Sequence, residues 1–246
     1  MPADQTQATS ANTRCAAAAV IVYVAVALGV DALVSLGVDW PFDWGVFRWN
    51  GLVAGRWLRA LGLDTLARFW SHGPLRSFDL FKFLFWFVVP FAWSLRRMDW
   101  GWFSFKRWKR IDLAAFTVLA VAGIVAVLLV PLFPSLRAIF PSMRGMGWSA
   151  LVLQLVWVVS WLTGWEFLHR YFLLRPVSAR WPRWGWLLVP LSETVYHLLQ
   201  PWPMTLGMAA LSVVLTQWSL RRANVLLPFL VHLVIEVALI AFLFLV

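Results

Sequence analysis

Long stretches of this chain carry almost no charge, and they limit what it can fold into. From Cys15 to Val38 the single charged residue is Asp31, and from Ile111 to Phe133 it is Asp112. A bilayer core about 30 Å thick needs about 20 apolar residues per helix, and these runs reach that length. The runs are too long for barrel strands, which alternate over about ten residues. Only 13% of the 246 residues are charged and 62% are apolar, where a soluble domain carries about 25% charged. Too little polar surface remains to cover a water-soluble core. One Cys and no short repeat exclude a disulfide scaffold and a fibre. The expected fold is all-α, a polytopic transmembrane bundle.

About seven spans are expected: Cys15–Val38, Phe78–Leu95, Ile111–Phe133, Trp148–Leu174, Gly185–Leu199, Thr205–Leu220 and Val225–Val246. The fifth is short and holds Pro190, which predicts a kink or a helix tucked inside the bundle. Residues 1–14 are small and polar and read as a loose tail. Cys15 opens an apolar helix with no second Cys to pair with. Between residues 39 and 76, Trp40, Trp44, Trp49, Trp57 and Trp70 alternate with Arg48, Arg56, Arg59 and Arg68. That mixture predicts one or two amphipathic helices lying at the membrane interface. The chain thus divides into a tail (1–14), an N-terminal membrane region (15–147) and a C-terminal core (148–246).

The net charge is +10, from 21 Lys and Arg against 11 Asp and Glu. The basic residues cluster between apolar runs: Arg96 to Arg110, Arg175 to Arg183, and Arg221 with Arg222. This is the pattern that orients a membrane protein, not one that binds nucleic acid. With seven spans these loops share one side, and the N-terminus is cytoplasmic.

All three glutamates, Glu166, Glu193 and Glu236, lie inside C-terminal spans, together with His169, His197 and His232. An ionisable group deep in a bilayer costs about 2.5–3.5 kcal/mol on insertion scales, so such groups mark functional sites by default. Glu166 and Arg170, Glu193 and His197, and His232 and Glu236 are each four residues apart, hence on one helix face. At about 1.5 Å per residue, Glu166, Glu193, His197, His232 and Glu236 all fall about 11–18 Å from the same membrane surface. They can converge. The chemistries open to them are hydrolysis by an activated water, a zinc site assembled from three helices, or a proton relay. A structural polar network is the bland alternative. His169 reads as a packing contact, and His72 as incidental. Asp31, Asp79 and Asp112, near span ends, read as solvated or capping groups.

The stretch Trp165-Glu166-Phe167-Leu168-His169-Arg170 resembles the EExxxR motif of the CAAX-protease and bacteriocin-processing family, also called the Abi family. Glu193-Thr194-Val195-Tyr196-His197 stands where the family's FxxxH motif follows, and His232-Leu233-Val234-Ile235-Glu236 where HxxxN/D follows. The resemblance covers residues 148–246. Trp165 replaces the first Glu, Glu193 the Phe, and Glu236 the Asn or Asp; the Gly that often follows the Arg is Tyr171.

What the resemblance implies is an intramembrane endopeptidase of glutamic type in a bacterial inner membrane. Its substrate is a membrane-associated protein or peptide. Glu166 or Glu193 would be the base, His197 would help hold water, and His232 with Glu236 would stabilise the oxyanion. Arg170 would lock Glu166. No cofactor is needed for that mechanism, and a zinc ion on Glu and His ligands stays open beside it. Loss of the first Glu leaves a second reading, a non-catalytic relative with an immunity or scaffold role. A transporter is a third.

Overall fold

The computed structural model describes residues 3–246, with side chains described from residue 16 onward except at Arg107. Residues 3–14, expected as a loose tail, are helical in their backbone and lead into the first span; their side chains and that of Cys15 lie outside the described ones. Every described element is helical, and five helices are long and apolar enough to cross a membrane. This is an integral membrane protein.

α1 (Ala3–Leu36) contributes the first of the five through Ala16–Leu36. Two short helices follow, α2 (Gly51–Ala60) and α3 (Asp64–His72). They pack on each other through Ala54, Gly55 and Ala67 and leave Leu52, Trp57, Leu66 and Phe69 exposed. Asn50 starts α2 by accepting from the amides of Leu52 and Val53 at 3.1 and 3.2 Å, an N-cap. The segment thus holds two short helices, where one or two were expected.

Then comes α4 (80–94), whose middle, Phe83–Val88, is wound as π-helix. α5 (Arg110–Leu128) is the second long helix and continues to Leu132 in a 3₁₀ turn. α6 spans Trp148–Arg180, 33 residues, with a π-helical turn at Leu168–Leu173. α7 (Leu188–His197) is followed by α8 (Trp202–Arg222) and α9 (Leu226–Leu245).

All seven expected apolar segments are helical, but two are short. α7, with ten residues, reaches about 15 Å, half a bilayer core. Pro190 lies in its first turn, where no backbone donor is needed, so it starts the helix rather than kinking it. Val189 and Glu193 are fully buried. α7 is a short half-span that buries this one face, while Leu191 and Val195 on the other stay exposed.

Packing is set by aromatic bulk and two glycines. Trp86, Trp165, Phe167, Tyr171 and Phe172 form the main buried cluster, where α1, α4 and α6 meet. A Cβ at Gly164 would stand 2.7 Å from the Cβ of Trp86, so only glycine lets α4 and α6 approach this closely. At Gly123 a Cβ would meet Ile235 Cγ1 at 2.3 Å, which joins α5 to α9 in the same way. The outer faces stay apolar, as at Val118, Val121 and Leu128 of α5.

Two of the three aspartates read as solvated or capping groups are buried in ion pairs. Asp112 does cap α5, accepting from the Lys109 amide at 2.7 Å. It also takes both arms of Arg222, at 2.9 and 2.6 Å, and is 3% exposed. Asp31 departs further. It is 5% exposed, accepts the Tyr196 hydroxyl, and sits 3.7 Å from the Lys82 ammonium. Asp79 caps α4 at the Lys82 amide and lies 3.5 Å from the same ammonium. Burial without such partners would strand a charge, which is why the pairs form.

Candidate active site

Five of the six motif residues are held by direct contacts between helices or within them. Glu166, Arg170, Glu193, His197 and His232 are all less than a tenth exposed, and Glu236 is partly buried. Glu166 and Arg170 come from α6, Glu193 and His197 from α7, and His232 and Glu236 from α9.

Arg170 is the hub. Its two terminal nitrogens grip both oxygens of Glu193, with Nη2 to Oε2 at 3.1 Å. Its Nε lies 3.4 Å from Glu166 Oε2. The sequence spacing pairs Arg170 with Glu166 alone, yet the bidentate contact goes to Glu193. The π-turn explains this: an added residue per turn rotates Arg170 away from the strict i, i+4 direction and toward α7. One guanidinium thus serves two buried carboxylates.

Glu166 uses its other oxygen across the bundle. His232 Nδ1 lies 2.8 Å from Glu166 Oε1. A carboxylate only accepts, so Nδ1 carries a proton, and in the neutral imidazole Nε2 is then the acceptor. That Nε2 is 3.7 Å from Glu236 Oε1. His197 has the same polarity: its Nδ1 is 2.7 Å from the carbonyl oxygen of Glu193, so its Nε2 is also an acceptor. The Thr205 hydroxyl donates to the His197 carbonyl at 2.6 Å and fixes the end of α7. His169 turns Nδ1 onto the Trp165 carbonyl at 3.0 Å and lies 3.6 Å from Glu193 Oε1, so it touches the network as well as packing within α6.

A cavity of about 310 Å³ lies against this network. His197, His232, Glu236 and Trp165 line it, whereas Glu166 and Glu193 stand behind the wall, engaged by Arg170. Trp165, in the first-glutamate position, packs 5.5 Å from the His197 ring, at right angles to it, and 4.3 Å from His169. The indole nitrogens of Trp86, Trp161 and Trp165, three residues of the cavity wall, are buried with no hydrogen-bond partner among the described residues. No group of three or more His, Cys, Asp or Glu among those residues is placed to hold a metal ion.

Asp31, Lys82 and Tyr196 are neighbours that the sequence reading did not bring to the site. Tyr196 and Lys82 line the cavity, and Lys82, Ser35 and Trp157 also line an adjoining, more polar cavity of about 450 Å³ beside Arg48 and Asn50. The available signal was a lone acid at 31 and a lone base at 82, each within an apolar run and opposite in sign.

Comparison with protein-family models, with curated proteins and with solved structures finds no match to the chain.

Proposed function

We propose that this chain is an intramembrane peptide hydrolase related to the CAAX-protease and bacteriocin-processing family, acting on a membrane-associated protein or peptide. The observation that carries the reading is the carboxylate–imidazole pair: Glu166 holds Nδ1 of His232, while His232 lines the cavity beside Glu236 and His197. A carboxylate that fixes an imidazole's tautomer and orientation is the usual support for a general base.

In this reading His232 Nε2 takes a proton from water as the oxygen attacks a substrate carbonyl. The proton then passes to the leaving amine, and Glu236, next to Nε2, is placed to relay it. His197, with a lone pair on Nε2, accepts a hydrogen bond from the same water. The roles differ from those that the motif resemblance implies: Glu166 orients the base instead of acting as one, and Glu193 neutralises Arg170. His232, with an acceptor nitrogen, cannot donate to an oxyanion until it has taken up the proton. The mechanism runs without a metal. With both Nδ1 atoms on oxygen acceptors each Nε2 is free, so zinc on Glu and His ligands stays the alternative, although no three such donors among the described residues are placed to hold an ion.

Residence in a bacterial inner membrane with a cytoplasmic N-terminus belongs to the same proposal. So does a count of seven membrane helices, with α4 and α7 as the two short ones. The test is a comparison of protein termini in membranes carrying the wild-type chain or His232→Ala. New termini that vanish in the variant support hydrolysis.

One observation favours the second reading, a non-catalytic scaffold or immunity protein. Trp165 occupies the first-glutamate position as a packed wall residue, 2% exposed. Identical termini in the two membranes would make that reading the better one.

A further inference from the structure

Three helix ends meet at the membrane surface where α1 begins its apolar run and α4 and α6 finish theirs. Between them lies a cavity of about 360 Å³, within the range of about 300–1,000 Å³ usual for ligand sites. Its walls fall into two zones. Val20, Trp93 and Phe172 give it an apolar side, while Arg96, Arg97 and Arg175 supply three guanidinium groups. No acidic residue lines it, and among the described residues none of the three arginines makes an ion pair.

Arg175 is held in place rather than free in solvent. Its guanidinium lies over the Tyr171 ring at 4.8 Å and the Trp102 ring at 5.8 Å, and it donates to the Tyr171 hydroxyl. The Tyr171 oxygen in turn accepts from the Asp99 amide at 2.7 Å. Nη1 serves the hydroxyl, which leaves Nε and Nη2 as donors. Arg96 and Arg97 are exposed at the end of α4. A preset guanidinium, two more beside it and an apolar wall running down the membrane helices match one kind of molecule.

We infer that this cavity binds the headgroup of an anionic phospholipid, with its phosphate between Arg175, Arg96 and Arg97 and an acyl chain along Val20, Trp93 and Phe172. Planar, forked donors suit a phosphate's oxygens, and basic pockets between membrane helices are the recognised setting for anionic headgroups. The apolar wall favours a lipid over free phosphate, because a free ion would leave that wall unused. The inference needs only the membrane placement of the helices and holds whether or not the histidine cavity is catalytic.

The test uses the full-length protein, delipidated in detergent and titrated with phosphatidylglycerol, phosphatidylcholine or inorganic phosphate while its thermal unfolding is followed. Phosphatidylglycerol is expected to raise the melting temperature at concentrations where phosphatidylcholine does not. The double variant Arg96→Ala/Arg97→Ala should weaken that response roughly 30-fold, the loss of two surface cation contacts. Its melting temperature in phosphatidylcholine should be unchanged. Arg56→Ala/Arg59→Ala, which removes equal charge from exposed positions on α2, serves as the control and should keep the response. An equal loss in both double variants would reduce the effect to general membrane charge and overturn the site. An equal response to inorganic phosphate would overturn the lipid assignment.

Discussion

Glu166 Oε1 and His232 Nδ1 lie 2.8 Å apart, joining two helices through residues 66 positions apart in the chain. The contact fixes which imidazole nitrogen faces the cavity. In the proposed hydrolase, Glu166→Gln keeps the volume but can offer His232 an amide in the wrong sense. The cleavage rate is expected to fall roughly 10²–10⁴-fold, the usual worth of a positioned base. Cleavage in proteoliposomes, read beside an unchanged melting temperature, checks this. A rate near wild type would remove Glu166 from the mechanism as the group that orients His232.

Arg170 binds two carboxylates, so its loss should be costly. Arg170→Leu leaves Glu193 and Glu166 buried without their cation, and breaking a buried pair costs about 3–5 kcal/mol. Arg170→Leu/Glu193→Leu should recover most of that, because it removes the charge that has lost its partner. Unfolding in mixed micelles across the double-mutant cycle measures the coupling. Additive losses would show that the bidentate contact contributes little.

Gly164→Ala places a Cβ 2.7 Å from the Cβ of Trp86, the rooted end of a large side chain that cannot swing aside. Overpacking of this kind typically costs about 1–3 kcal/mol, and it should separate α4 from α6. Gly123→Ala meets the side chain of Ile235 instead. Trimming that neighbour with Ile235→Ala should restore stability there. Melting temperatures of the three variants decide the matter.

Tyr196→Phe removes the hydroxyl that donates to Asp31 and leaves a buried carboxylate with Lys82 alone. Hydrogen bonds to charged groups are worth about 1.5–3 kcal/mol, and a destabilisation of that size is expected. Asp31→Asn in the same background should show little further loss. A full second loss would mean that Asp31 is held mainly by Lys82.

The sequence made most of the helices legible because apolar length is a strong signal: α5, α6, α8 and α9 begin and end within a few residues of the expected spans, apart from the extension of α6 to Arg180. It also made the meeting of α6, α7 and α9 legible, since an ionisable residue in a bilayer needs a partner. Which partner was not legible. Arg170 reaches Glu193 because a π-turn rotates it, and no spacing of residue types announces that turn. Asp31 and Lys82 stand 51 positions apart, on helices whose mutual rotation is set by packing around Trp86 and by the Tyr23 hydroxyl on the Phe85 carbonyl. Periodicity tells which face of a helix is polar, but not which neighbour that face meets.

The single guanidinium at Arg170 has a further consequence for positions 165 and 193. Against the proposed motif alignment, this chain has an aromatic ring where a carboxylate is expected and a carboxylate where an aromatic ring is expected. His169 joins the two, packing at a tilt against Trp165 and lying 3.6 Å from Glu193. The residues have in effect exchanged sides of one cluster, and the cluster's total charge is the same after the exchange as before it. Trp165→Glu alone would add a third acid beside one base, while Trp165→Glu/Glu193→Phe would return the original tally. The double variant should therefore fold better than either single one, as limited proteolysis can show; if it folds worse than both, the exchange is not compensatory. On this account the wall is constrained by its sum of charges: two carboxylates around one guanidinium make the same total whether position 165 or position 193 holds the second acid.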